Sequence, residues 1–502
     1  MSAKSDKSRS IAEASLFPSA ALALAGGVCF GLANCYAEQG FGMWIAFALL
    51  GTALAARSGR GVVLTVFFGL PAYSIGLIWL AGFGTLPWVI LSAYHILFIV
   101  PAGLSARLLT TKAPVAGALT FGSLFALGEW VRSLGWQGVT MATAAGPLAD
   151  NHAALAIVPT AGWAGAGFLV VLGGVLTGFS IAHRKPGWFV ASAAAFVLLL
   201  VYSPLPRLEL PSRGTLTVAA IQGVTQDGFR DLTSEDESLK VYLELSRLAA
   251  EMQPRPDVIL WPETSAPGYP GNDIRMLRRI SEGIRAIGVP IVVGAFLLEE
   301  KEGEKRLTNS ALAFDGDGIP VGVYQKERLV PFGEFVPFRE RLPELSRWQV
   351  NDRDYYTGSQ TDPLEIAGGR LGVLICSEVM FAHLGAARAM DGAEALLVMS
   401  NDSWFGTGPA HRQLTRLTVL RAAETGRDVV KAAETGLSLA VDARTRKVTA
   451  ISKHYTKEII TGTVRLVEGQ TPASRWPYAT PLALLAVAGL AAFFGLTRQT
   501  RQ

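Results

Sequence analysis

Long apolar stretches separated by short polar breaks fill the N-terminal part of the chain, near residues 14–36, 41–56, 62–83, 86–107, 114–132, 154–182 and 187–204. Most have the length of about 20 apolar residues that a helix needs to cross a bilayer; 41–56 is short. After residue 205 charges become frequent, and short apolar runs alternate with amphipathic stretches to about residue 470. A last apolar run, 477–496, precedes Arg498 and Arg501. The pattern predicts a membrane domain over 1–205 with seven transmembrane helices, a second domain over 215–470, and a C-terminal transmembrane helix over 477–496.

Within the second domain, strands are expected at 216–223, 257–263, 290–296, 310–315, 370–376 and 395–401, each apolar with polar or glycine borders. Helical periodicity covers 235–252, 273–287, 383–391 and 410–426. Strands that alternate with helices indicate a layered α/β domain. No internal repeat or low-complexity tract interrupts it.

Composition supports the membrane reading. Apolar residues make up 50% of the chain and charged residues 17%, and mean hydropathy is +0.33. A net charge of +4 without a dense basic tract argues against nucleic-acid binding. Positive charge sets the orientation. Basic residues occupy alternate connections: Lys4, Lys7 and Arg9; Arg57 and Arg60; Arg107 and Lys112; Arg184 and Lys185; Arg498 and Arg501. Arg132 is the exception, with Glu129 one turn before it. The positive-inside rule then puts these connections in the cytoplasm and the 215–470 domain outside it. "GLANC" at 31–35 faintly resembles a lipoprotein-processing site, but Asn34 is large for the position before the cysteine, so an uncleaved first span is expected.

Three cysteines, Cys29, Cys35 and Cys376, are too few for a disulfide framework. The first two lie in an apolar run and fit packing. Cys376 ends "RLGVLIC" and is followed by Glu378, while Glu263 and Lys326 lie at or just past the ends of two other strand-like runs. Reactive groups in α/β folds gather at strand ends. A thiol needs a base to become a nucleophile, a glutamate can serve, and a lysine can stabilise the oxyanion of an attacked carbonyl. Taken singly, a surface glutamate, a surface lysine and a core cysteine are each the better reading. No His/Cys/Asp cluster has metal-ligand spacing, so neither a metal nor a cofactor is expected.

"WPE" at 261–263, "LVPFGEFVPF" at 329–338, "CSE" at 376–378 and "SNDSWFG" at 400–406, in that order, resemble the carbon–nitrogen hydrolase (nitrilase) superfamily. With membrane spans on both sides, together with "GEWVRS" at 128–133 and "ASRWPY" at 473–478, the chain resembles the apolipoprotein N-acyltransferase family. The resemblance implies an αββα sandwich outside the cytoplasmic membrane, on the periplasmic side. It implies Glu263 as general base, Lys326 as oxyanion stabiliser and Cys376 as nucleophile, supported by Glu334, Glu378 and the Ser377 N–H. The implied substrates are a phospholipid acyl donor and a diacylglyceryl apolipoprotein acceptor, and the membrane lipid is the implied partner. Phe335, Trp404 and Phe405 are substrate-binding candidates, and Phe332 and Phe338 share the choice between lipid entry and core packing.

The chain departs from that pattern at Val224, at Ser377, in "LGWQGVTMATAAG" (134–146) and in "KAAETGLSLAV" (431–441). These departures are expected to bear on lipid and acceptor recognition. The competing reading is a divergent paralogue, a membrane-tethered amidase or an acyltransferase with another substrate, for example one associated with conjugal transfer.

Overall fold

A computed structural model describes residues 16–36, 40–109, 112–185, 187, 209–227, 230–269, 273–301, 304–349 and 354–500. The chain divides into two units. One comprises 1–134, 138–207 and 476–502; the other comprises 135–137 and 208–475.

The first unit is helical. Its described helices are α1 (Leu16–Cys35), α2 (Phe41–Ala56), α3 (Gly61–Gly76), α4 (Thr85–Ser105), α5 (Pro114–Val131) and α6 (Val158–His183), and the C-terminal helix Ala479–Thr500 belongs to the same unit. Among the described residues five helical segments are long and apolar enough to cross a membrane, and α2 and α3 are shorter. The run expected over 62–83 is therefore two pieces: α3 stops at Gly76 and a 3-10 turn, Ile78–Phe83, follows. The expected span at 187–204 lies outside the described residues. Leu97, Leu104, Ile181, Leu482 and Phe493 are exposed, as lipid-facing side chains of a membrane protein are. The charges at the end of α5 are buried and tie down the next loop. Glu129 accepts from the Ala144 N–H at 2.9 Å, and Arg132 donates to the carbonyls of Met141 and Ala142 at 3.3 and 3.4 Å.

The second unit is the layered α/β domain. Its strands are β1 (Ser212–Gln222), β2 (Gln226–Asp227), β3 (Arg230–Asp231), β4 (Val258–Leu260), β5 (Ile291–Lys301), β6 (Glu304–Phe314), β7 (Pro320–Gln325), β8 (Leu364–Ile366), β9 (Gly369–Ile375), β10 (Ala395–Ser400), β11 (Val429–Ala433), β12 (Leu439–Asp442), β13 (Lys447–Ile451) and β14 (Glu458–Val467). They form two six-stranded sheets, β14-β1-β4-β5-β6-β7 and β13-β12-β11-β10-β9-β8, with β2 and β3 as a separate pair. Helices α7 (Glu235–Ala250), α8 (Ile274–Ile287), α9 (Ala382–Met390) and α10 (Ala410–Thr425) complete it.

Period-two alternation assembles the layers. Val218, Ala220, Val258 and Leu260 join Val373, Leu397 and Val430 in the core shared by the two sheets. The intervening Ala219, Ile221, Ile259 and Trp261 pack with Leu239, Tyr242, Ile280 and Ile284 of α7 and α8. Strands β1, β4 and β5 run parallel, as do β9, β10 and β11, so the C-terminal ends of each set gather at one edge. Helix α7 starts at Ser234, whose hydroxyl accepts from the Glu237 N–H, with Glu235, Asp236 and Glu237 in its first turn. Both features favour a helix N-terminus.

Candidate active site

Three strand ends carry the residues singled out in the sequence. Glu263 lies three residues beyond β4, Lys326 follows β7 directly, and Cys376 follows β9. The turn bearing Glu263 crosses β5 at Gly294, where a Cβ would stand 2.0 Å from the Pro262 carbonyl oxygen and 2.9 Å from the Glu263 Cα. Only glycine admits that approach.

Lys326 is buried and lies between two buried carboxylates. Its Nζ donates to Glu263 Oε1 at 3.1 Å and to Glu334 Oε1 at 2.7 Å. Burial alone would lower its pKa, but Glu263 and Glu334 outweigh this and hold it well above the ordinary lysine value. It is an ammonium throughout the neutral range. Asn309 of β6 donates from Nδ2 to Glu263 Oε1 at 2.7 Å, and the Asn401 backbone N–H donates to Glu263 Oε2 at 2.7 Å. Glu334 also accepts from the Val330 N–H at 2.8 Å, and this bond closes the "LVPFGEFVPF" loop on itself.

Cys376 has φ +52°, a left-handed conformation that is uncommon for a residue with a Cβ and that concentrates at functional sites. The thiol is a free one. Burial pushes its pKa well above the ordinary value, and Glu263 adds to the rise while Lys326 opposes it. The resting sulfur is therefore a neutral thiol, and its proton must be removed at the moment of attack. Ser377 is buried with its Oγ unpartnered.

Glu378 is fully buried and joins the Cys376 turn to the Lys326 loop. Oε2 accepts from the Ile375 N–H at 2.7 Å and the Tyr324 hydroxyl at 2.8 Å, and Oε1 from the N–H groups of Glu327 and Arg328 at 2.7 and 3.1 Å. Burial raises its pKa to about 7, against the pull of those donors and of Lys326.

The five residues Glu263, Lys326, Glu334, Cys376 and Glu378 thus share one environment. Phe335, Trp404 and Phe405 are each partly exposed. Phe335 packs edge-on against Trp136 with ring centroids 6.2 Å apart, and Phe405 against His411 at 6.0 Å. Asn309 and Tyr355 were not singled out from the sequence. Tyr355 is raised by burial and by Glu334 and Glu263, which marks it as a neighbour of the carboxylates. Asn309 lies between Thr308 and Ser310 in the polar half of β6, where nothing in the local sequence sets it apart. Among the described residues no group of three His, Cys, Asp or Glu has the placement to hold a metal ion.

Residues 217–471 match the model of the carbon–nitrogen hydrolase family, and residues 26–176 match that of the apolipoprotein N-acyltransferase N-terminal domain. The chain is 30% identical to an apolipoprotein N-acyltransferase of Geobacter metallireducens, with 89% of each chain covered. It is 29% identical to one of Azotobacter vinelandii, with 94% of each covered. Among solved structures it is similar to the carbon–nitrogen hydrolase from Helicobacter pylori G27, at a TM-score of 0.39 and 15% identity, over 50% of this chain and 89% of that one.

Proposed function

We propose, since the chain belongs to the apolipoprotein N-acyltransferase family, that it moves an acyl chain from a phospholipid to the N-terminal diacylglyceryl-cysteine of a lipoprotein through a thioester on Cys376. The observation that carries the mechanism is the buried Glu263–Lys326–Glu334 cluster beside the Cys376 thiol. One ammonium faces two carboxylates there. Even with Lys326 charged, a carboxylate remains to take a proton.

In the first half-reaction Glu263 takes the thiol proton as Sγ attacks the sn-1 ester carbonyl of the phospholipid. The oxyanion forms against the Lys326 ammonium and the Ser377 N–H. Oriented charge in a water-poor site is the largest catalytic effect such a site offers. The intermediate collapses by breaking the bond to the glycerol oxygen, which leaves with the proton from Glu263 as lysophospholipid. In the second half the α-amino group of the acceptor attacks the thioester, Glu263 removes its proton, and the sulfur leaves and is reprotonated. A thioester acylates amines readily and survives where water is excluded. Phe335, Trp404 and Phe405 offer apolar surface to the acyl chain. Glu334 keeps Lys326 in place, and Glu378 keeps the nucleophile's turn registered with the lysine's loop.

The alternation of basic connections supports an inner-membrane location with the 215–470 domain on the periplasmic side, where lipid and lipoprotein both reach it. Two experiments test the proposal. Wild type in defined phospholipid should triacylate a diacylglyceryl peptide, and Cys376→Ala should insert, fold and transfer nothing. Retained transfer by purified Cys376→Ala would sink the mechanism. Single cysteines placed in the 215–470 domain should react with a membrane-impermeant maleimide from the periplasmic side, and labelling only from the cytoplasm would refute the orientation.

A further inference from the structure

The Asn401 N–H holds Glu263 Oε2, and two buried charges on one short segment hold Asn401. The first is Lys431 in β11. Its flanking residues Val430 and Ala432 enter the inter-sheet core, and its ammonium grips the fully buried Asp402, which also accepts from the Ser400 hydroxyl. Burial would raise Asp402, but Lys431 and His411 more than offset it and keep its carboxyl ionised, well below the ordinary range. Gly436 brings the next turn down on the same residue, since a Cβ there would stand 2.5 Å from the Asp402 Cβ. Asp402 is thus fixed one residue beyond the amide in question.

The second charge is Glu434, also buried. Its carboxylate accepts from the Thr225 N–H at 2.5 Å, the Thr225 hydroxyl at 2.8 Å, the Gln226 N–H at 3.0 Å and the Tyr242 hydroxyl. Gln226 Oε1 in turn accepts from Asn401 Nδ2 at 2.9 Å. The backbone of Glu434 completes the link: its N–H donates to the Ser400 carbonyl at 3.1 Å, and its carbonyl accepts from the Val224 N–H at 3.2 Å. The segment 431–434 therefore holds Asn401 through Asp402 on one flank and through Gln226 on the other. The side-chain hydrogen bonds of Lys431 and Glu434 run to Asp402, Thr225, Gln226 and Tyr242 rather than to Lys326 or Cys376, and Asp402 adds to the field that raises the Cys376 thiol.

We infer that Lys431 and Glu434 are positioning residues for the Glu263 base, setting the rate and pH dependence of acyl-enzyme formation rather than the choice of lipid or acceptor. The inference rests on the acyl-transfer reading above. The Asn401 N–H donates to Glu263 Oε2 at 2.7 Å, and a hydrogen bond to a carboxylate favours its ionised form, so a variant that loses this bond favours the protonated acid. Glu263 acts in turn on Lys326 after β7, on Tyr355 in a neighbouring loop and on Cys376 after β9, and it shares Lys326 with Glu334. The Lys431 and Glu434 substitutions leave those four in place.

The test is single-turnover acyl-enzyme formation across pH, followed as the mass shift on Cys376 in vesicles of one defined phospholipid. Wild type, Lys431→Arg, Lys431→Met and Glu434→Gln are compared. Lys431→Met and Glu434→Gln should each slow acylation by about 10- to 100-fold, the scale of a small misplacement of a catalytic group. The acid limb should move to higher pH, with KM for lipid and acceptor within about twofold of wild type. Lys431→Arg should recover most of the rate. Glu434→Gln is close in shape to the native residue and carries the test if Lys431→Met does not fold. An acid limb that stays put in a folded variant, or a changed KM or acyl preference at unchanged limiting rate, overturns the inference. A wild type that forms no adduct on Cys376 overturns the proposed function as well, so the two failures are distinguishable.

Discussion

Lys326 and Lys431 are both buried and both paired with carboxylates, yet the two sites are built for opposite ends. Lys326 meets two carboxylates, Glu263 and Glu334, with the Cys376 thiol in the same field. Lys431 meets one, Asp402, with a serine hydroxyl and a glycine turn packed around it. At Lys431 the single carboxylate is matched by the lysine and faced by His411 at 3.7 Å, so no carboxylate is left over. A two-to-one cluster keeps a spare carboxylate, and a neighbouring thiol gives that carboxylate something to deprotonate. The count of charges, not the kind of residue, separates a catalytic cluster from a supporting one.

The comparison breaks most visibly at Lys326. Lys326→Met should lower acyl transfer by about 10²–10³-fold, the cost of one oxyanion donor. It should also destabilise the 215–470 domain by about 3–5 kcal/mol, because buried carboxylates would lose their counter-charge. Chemical denaturation beside the transfer assay checks both. Next comes Glu263→Gln, expected to slow transfer by about 10²–10⁴-fold through loss of the base. Because Glu263 raises the Cys376 pKa, the same change should make the thiol easier to alkylate with iodoacetamide at neutral pH. Opposite movements of turnover and alkylation distinguish a base from a merely structural glutamate.

Glu378→Gln sharpens the comparison differently. Glu378 holds its proton up to about pH 7, compared with an ordinary value of 4.5. The folded state binds that proton more tightly than the unfolded chain. Its contribution to stability is therefore fully present below about pH 4.5 and lost as pH rises through about 7. Glu378→Gln should flatten the stability profile in that window. A glutamine has one acceptor oxygen where four donors converge, so transfer should fall about 10- to 100-fold as the cysteine and lysine loops lose register. Smallest are the changes at the apolar rim. Phe335→Ala, Trp404→Ala and Phe405→Ala should raise KM for phospholipid by about 5- to 30-fold, in line with about 1–2 kcal/mol of apolar contact each, with little effect on acylation at saturating lipid.

Much of this was legible in the chain because the patterns were strong. Six apolar strands with glycine or polar borders and four amphipathic helices were visible in the 215–470 domain, and β4, β7 and β9 end at or near Glu263, Lys326 and Cys376. Strands β2, β3, β8 and β11 to β14 were not among those expected. The sequence of β11, "VVKAA", carries a charged residue at its centre, which marks a surface loop unless a buried partner such as Asp402 exists. In β14, "EIITGTVRLV", polar residues alternate along a sheet edge. The departures at Val224 and 431–441, expected to bear on substrate choice, meet each other: the Val224 N–H donates to the Glu434 carbonyl. Such a pairing separates residues by two hundred positions, and no local pattern contains it. Asn309 and the Asn401 amide were missed for the same reason: their value lies in which carboxylate they reach.

The most direct measurement is intact and peptide mass spectrometry of wild type held in defined phospholipid without acceptor. The account predicts one acyl group on the peptide bearing Cys376, discharged when a diacylglyceryl peptide is added and absent in Cys376→Ser. An acyl group on any other residue, or one that the acceptor amine does not discharge, would contradict it.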